Sequence, residues 1–202
     1  RSDQKMFCAG ADLKEYRQRM ESGESLDQYK DYLQTFHRLF GRLESLGKLT
    51  VAEIGGAALG GGFELALSCD LRIAADEAKL GLPEGRLGLI PGAGGTQRIT
   101  QLCGPSIANR IILTCEIVGG KTALQLGLVQ WAAPRAELPA MAKEMIDGWA
   151  GLSPAAIQAA KKCIAAAQDP AQDGFDKEIE VSLELVQNPD SLKRVVAFFE
   201  NR

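Results

Sequence analysis

Two hydrophobic rhythms run along this chain, and the points where one replaces the other predict its elements. After Ser25, Leu26, Tyr29, Leu33, Phe36, Leu39, Phe40 and Leu43 recur mostly at three- and four-residue steps, which predicts an amphipathic helix. Residues 49–54 and 71–75 are short apolar runs that predict strands. Residues 7–11 predict a strand end and a tight turn at Gly10, followed by a charged helical or loose segment. Gly55-Gly56, Ala57-Ala58-Leu59 and the triplet Gly60-Gly61-Gly62 lead into Phe63-Glu64-Leu65-Ala66-Leu67, a strand, a glycine turn and a helix. Residues 80–84 form a turn-bounded segment, and Pro91-Gly92-Ala93-Gly94-Gly95 punctuates again. Helices are predicted over 94–102, 105–113 and 122–127, then a strand over 129–133 closed by Pro134. Beyond Glu137 the pattern is wholly helical, over 139–150, 154–168, 175–187 and 191–200. A boundary near Pro134 therefore separates a mixed α/β part, 1–134, from an all-helical region, 135–202.

Composition narrows the class. The 202 residues suit one domain or a domain with an appendage, and 46% hydrophobic with 24% charged residues argues for a packed core. Charged residues or proline interrupt every apolar run, so no bilayer span is predicted. The net charge of −3 argues against a general nucleic-acid binder. Five cysteines without a CxxC pair argue against zinc and a disulfide framework and suit a reducing compartment. With His37 the single histidine, a histidine-based nucleophile relay is a poor candidate. The chain opens on Arg1-Ser2-Asp3 and enters apolar residues at once, unlike a signal or transit peptide, so it reads as the middle of a longer protein.

Candidate chemistry gathers at the glycines. A glycine triplet opening a helix exposes backbone N–H groups at the helix's positive end, where an anion or developing oxyanion is stabilised. No Lys-Ser/Thr follows, and the spacing is not GxGxxG, so neither phosphate-loop fingerprint fits. Close helix–strand packing explains such a triplet equally well. Glu64 lies in the first turn of that helix between Phe63 and Leu65, and Glu84 follows Pro83 among leucines and glycines. Two carboxylates in apolar surroundings can form an acid/base pair. The plainer readings are a helix-dipole partner for Glu64 and, for Glu84, a solvated turn acid paired with Arg86.

Three blocks lift the matter beyond pattern: Phe7-Cys8-Ala9-Gly10-Ala11-Asp12-Leu13-Lys14, Gly56 through Ala66, and Gly81-Leu82-Pro83-Glu84 through Gly94-Gly95-Thr96-Gln97-Arg98. In order and spacing they resemble the enoyl-CoA hydratase/isomerase (crotonase) family, from about Met6 to Glu200. The resemblance implies an α/β crotonase-like spiral core of ββα units, lacking its N-terminal strands here, followed by a helical oligomerisation region. It implies an oxyanion hole from the amides of Ala11 and Gly61, coenzyme A contacts along Ala9, Ala11, Asp12, Leu13, Lys14 and Gly61, and catalytic glutamates at Glu64 and Glu84. Both glutamates favour a hydratase, adding water syn to a trans-2-enoyl-CoA without metal or redox cofactor, over an isomerase. The resemblance further implies a homotrimer or dimer of trimers, in the cytoplasm or, in a eukaryote, the mitochondrial matrix.

Short-chain, methylglutaconyl and aromatic-degradation acyl groups all remain open as substrates. An RNA-binding homologue is the alternative from another class. The predicted helix carries Lys30, His37, Arg38 and Arg42, but Asp27, Asp31 and Glu44 thin that patch. Departures from the family pattern, Leu49 for its usual proline and Gly55 for its usual Asn or Asp, touch the scaffold, and Glu53 is unusual in a nominally buried strand. His37 itself reads as a helix-surface residue.

Overall fold

Among the described residues six short strands, all paired in parallel, build two small sheets. In the computed structural model, residues 2 and 5–200 are described. Strands β1 (Met6–Cys8), β3 (Ala57–Leu59) and β5 (Leu80–Gly81) form one sheet in the order β1-β3-β5. Strands β2 (Val51–Ile54), β4 (Leu71–Ala75) and β6 (Trp131–Ala133) form the other in the order β2-β4-β6. Parallel neighbours need crossovers. Helices α1 (Leu13–Glu21) and α2 (Leu26–Glu44) lie between β1 and β2, and α3 (Gly61–Leu67) lies between β3 and β4. A 3₁₀ turn (Pro83–Leu87), α4 (Gly95–Leu113) and α5 (Gly120–Gln125) follow β5.

Ala57–Leu59, expected as part of a glycine turn, is a strand because its backbone pairs with both β1 and β5. The break predicted between residues 102 and 105 is present as a kink in α4 at Gly104, ahead of Pro105. Glu53 is tolerated because Ala52 and Ile54 take the buried face of β2, leaving Val51 and Glu53 half-buried. Ile54, Ala58, Phe63, Ile73, Leu80, Leu82, Ile99, Ile111 and Leu128 are fully enclosed in one core.

Among the described residues the chain forms two compact units. One takes in the chain up to Glu44 with Thr50–Met145; the other takes in Ser45–Leu49 and the chain from Ile146. The composition change near Pro134 lies upstream of that division. Helix α6 (Leu138–Trp149) runs across it, and the second unit contains α7 (Pro154–Ala166), α8 (Gly174–Val186) and α9 (Pro189–Glu200). Within the second unit Ala159, Ala166 and Val181 are buried, and Asp190 accepts from Ser153 (3.0 Å) and Arg194 (2.7 Å).

A buried guanidinium finishes α3. Arg72 on β4 is 2% exposed; its Nη1 donates to Cys69 O (2.6 Å) and Nε to Leu128 O (2.9 Å), with Ala66 O and Leu67 O at 3.4 Å. The carbonyls of Ala66, Leu67 and Cys69 lie at the C-terminal end of α3, where helix carbonyls run short of backbone donors, and Leu128 O belongs to the segment ahead of β6. Arg72→Met keeps the bulk and removes the donors. It is expected to lower the unfolding free energy by about 2–4 kcal/mol in urea melts, with an unchanged m-value.

Candidate functional site

Because β1, β3 and β5 run parallel, their carboxyl ends meet at one edge of the sheet, where such folds present loops to ligands. The chain leaving β1 makes the turn Ala9-Gly10-Ala11-Asp12, and the chain leaving β3 makes Gly60 and enters α3. The chain leaving β5 makes Leu82-Pro83-Glu84. Register fixes their level: Cys8 pairs with Ala58, and Leu59 with Gly81.

The first two turns are in contact. A Cβ on Gly10 would lie 3.0 Å from Gly61 N, and one on Gly61 would lie 3.9 Å from Ala11 N. Among the described residues neither the Ala11 nor the Gly61 amide donates to a backbone carbonyl. Two adjacent free amides, one in the first turn of α3, are thus placed where an oxyanion would be stabilised. Gly60 has φ +54°, a conformation that favours glycine, and its missing side chain leaves Glu84 Oε1 room 3.0 Å from where a Cβ would stand.

Glu64 and Glu84 flank this turn in unlike surroundings. Glu64 is 2% exposed, and its Oε1 accepts from the amides of Ala93 and Gly95, both at 2.8 Å. Burial pushes its pKa up. The Gly95 and Ala93 bonds pull it down, as do Arg98 and His37 nearby. Glu84 sits in the 3₁₀ turn with Oε2 buried and, among the described residues, without a hydrogen-bond partner. Burial raises its pKa, its own backbone amide opposes the rise, and the charge of Glu64 adds to it. Glu84 is therefore no solvated turn acid, and Arg86 donates instead to Cys115 O at 3.0 Å.

Ala9, Ala11, Leu13 and Lys14 are exposed around the β1–α1 turn, beside the amide pair. Asp12 is the N-cap of α1, its carboxylate accepting from Lys14 N at 2.8 Å, a role that fixes the turn. Residues that the sequence reading left without a role complete the site: Ala93 and Gly95 as donors, with Arg98 and His37 behind them. The glycine-rich segment 91–95 was the available signal. Among the described residues no group of three or more His, Cys, Asp or Glu could hold a metal ion, and no helix is long and apolar enough to cross a membrane.

Comparison with known proteins places the chain in a lineage. The sequence pattern of the family described as Enoyl-CoA hydratase/isomerase matches residues 1–202. The chain is similar to the "Probable enoyl-CoA hydratase 2, mitochondrial" of Arabidopsis thaliana, 39% identical over 198 residues, which are 98% of this chain and 64% of the plant protein. It is also similar to the short-chain-enoyl-CoA hydratase of Clostridium acetobutylicum, 36% identical over 200 residues, covering 98% of this chain and 75% of that protein. The crystal structure of an enoyl-CoA hydratase from Bacillus anthracis superposes on it with a TM-score of 0.89 at 37% identity, covering all of this chain and 76% of the other. The fold is the α/β crotonase-like fold.

A buried carboxyl with a raised pKa has a thermodynamic signature. The folded state favours protonated Glu84, so its stabilising contribution is full below the ordinary glutamate pKa and is lost as pH rises through the folded value. Glu84→Gln should therefore melt higher than wild type at pH 8, by roughly 2–4 °C. The gap should close as melts are repeated toward pH 4.

Proposed function

The chain belongs to the enoyl-CoA hydratase/isomerase (crotonase) family, and from that premise we propose that it hydrates trans-2-enoyl-CoA thioesters to 3-hydroxyacyl-CoA. The observation that carries the reading is the unlike pair of carboxyls beside two free amides. The Ala11 and Gly61 amides receive the thioester oxygen, on which charge builds as the α-carbon becomes enolate-like. Ala9, Asp12, Leu13 and Lys14 line the approach and contact the coenzyme A portion.

Glu64, which accepts two N–H bonds, is the carboxylate; Glu84, without a donor for Oε2, holds the proton. Glu64 takes a proton from water as the water oxygen bonds to the β-carbon. Glu84 gives its proton to the α-carbon. The proton left on Glu64 and the one missing from Glu84 are exchanged before the next turnover. Delivery of both groups from one site gives syn addition. The reaction is redox-neutral and the amides polarise the carbonyl, so the reading calls for no cofactor beyond the coenzyme A of the substrate.

The protein is further proposed to work as a homotrimer or dimer of trimers. On α8 the apolar residues Phe175, Ile179, Leu183 and Val186 fall on one helical face yet are exposed, from 60% to 81%. Leu192, Val195, Phe198 and Phe199 on α9 are exposed as well. The five free cysteines suit the cytoplasm or the mitochondrial matrix.

Loss of enoyl-thioester absorbance over a panel of acyl-CoAs tests the activity. Wild type should consume at least one member, and Glu64→Gln and Glu84→Gln should each be slower by about 10²–10⁴-fold. Retained hydration in both variants would sink the assignment. In sedimentation, wild type is expected at a multiple of three chains and Ile179→Glu at a smaller mass; a wild-type monomer would overturn the assembly.

A further inference from the structure

Glu64 is held by backbone, and that backbone is itself held from behind. The Ala93 N–H that donates to Glu64 belongs to the same peptide unit as the carbonyl of Gly92. That carbonyl oxygen lies 2.8 Å from Nε2 of His37, on α2. A carbonyl can only accept, so Nε2 carries the hydrogen. The next carbonyl, of Ala93, accepts from Arg98 Nη1 at 2.8 Å. The rest of the Arg98 guanidinium grips Glu44 on α2, Nε to Oε1 at 2.6 Å and Nη2 to Oε2 at 3.0 Å. This is the two-bond fork that suits arginine and fixes its plane. Gly94, at φ +103°, has no Cβ to obstruct it; one there would lie 2.2 Å from Nη1.

We propose that His37 and Arg98 are positioning residues for Glu64, gripping the carbonyls of Gly92 and Ala93 and so aiming the two amides that hold its carboxylate. A hydrogen bond to a peptide oxygen polarises the N–H at the other end of the unit, so the His37 bond strengthens the one Ala93 makes to Glu64. The charged groups facing Glu64 are Arg98 from α4, His37 from α2 and Glu84 from the 3₁₀ turn, with Glu44 behind Arg98. The Arg98 charge favours the ionised form of Glu64. The proposal rests on the reading of Glu64 as the base that activates water.

The test uses the purified protein with crotonyl-CoA as probe and follows kcat and KM across pH. Losing a donor, and in Arg98→Gln also a fixed positive charge, makes Glu64 harder to ionise. The acid limb of the profile should therefore move to higher pH in His37→Ala and Arg98→Gln. Their kcat is expected to fall roughly ten- to hundredfold through misplacement of the carboxylate, while KM stays within about threefold. His37→Gln, which returns an amide N–H near the position of Nε2, should recover most of kcat. Arg110→Gln, on the same helix but paired with Glu116, should alter neither parameter. His37 is exposed, so its variants keep the test alive if Arg98→Gln folds poorly.

The Glu64 carboxyl is also titrated by infrared spectroscopy without substrate, with Glu64→Gln assigning the band. Its midpoint should rise in both variants. If wild type does not hydrate but the midpoint still rises, the proposed activity fails and the positioning stands. If wild type is active and both variants keep its acid limb and midpoint, the positioning role is overturned.

Discussion

A carboxylate removed from water must find donors or give up its charge, and the placement of Glu64 in the first turn of α3 imposes that choice on its surroundings. The donors come from residues 91–95, which must pass close enough for two amides to reach one oxygen at 2.8 Å. At Gly95 that approach leaves no room for a side chain: a Cβ there would lie 3.0 Å from Glu64 Oε1 and 2.8 Å from Leu82 Cδ1. On its other side α3 rests against β1, where a Cβ on Gly62 would overlap the Cys8 carbonyl at 2.1 Å. The glycines of the two motifs thus serve one end. They let a short helix sit between a strand and a loop with its acid aimed inward, and Arg72 satisfies the helix's far end.

Much of this was legible in the sequence. The amphipathic stripe of α2, the Gly10 turn, the strand 71–75 and the break ahead of Pro105 all carry local signals, of period or of punctuation, that tertiary structure did not override. Ala57–Leu59 was less legible because three small or apolar residues between glycines carry no period; its strand character comes from partners on both sides. Glu64 and Glu84 stood out as acids among apolar neighbours, yet sequence could not separate a buried acid from a solvated one at position 84. Burial there depends on the Gly60 turn, 24 residues earlier by number. His37 looked like a surface residue and is exposed, but it bonds to the Gly92 carbonyl 55 residues away. A contact made to backbone at such separation leaves no trace in local pattern.

The two compact units divide these demands. Ala11, Gly61, Glu64, Glu84 and the residues behind them all belong to the unit that contains both sheets. Parallel pairing brings three strand ends to one level there, and the core beneath them is continuous. The second unit supplies none of these groups. Its helices bury Ala159, Ala166 and Val181 among themselves while α8 keeps an apolar face exposed, a pattern that a helix packed only for its own stability would not need.

What distinguishes the two acids is the count of backbone donors rather than residue type. Both are glutamates, both are drawn toward neutrality by burial, and the charge on one raises the pKa of the other. Two like charges held close cannot both be favoured, so a small bias decides which ionises first. The amides of Ala93 and Gly95 and the nearby Arg98 and His37 supply that bias at Glu64; at Glu84 a buried oxygen with no partner supplies the opposite one. In the proposed reaction an acid and a base for one turnover are thus made from identical side chains, provided the loop that holds the ionised one cannot relax toward the other. The grip of α2 and α4 on the carbonyls of Gly92 and Ala93 meets that condition, because it fixes the donors without placing another polar side chain in the site.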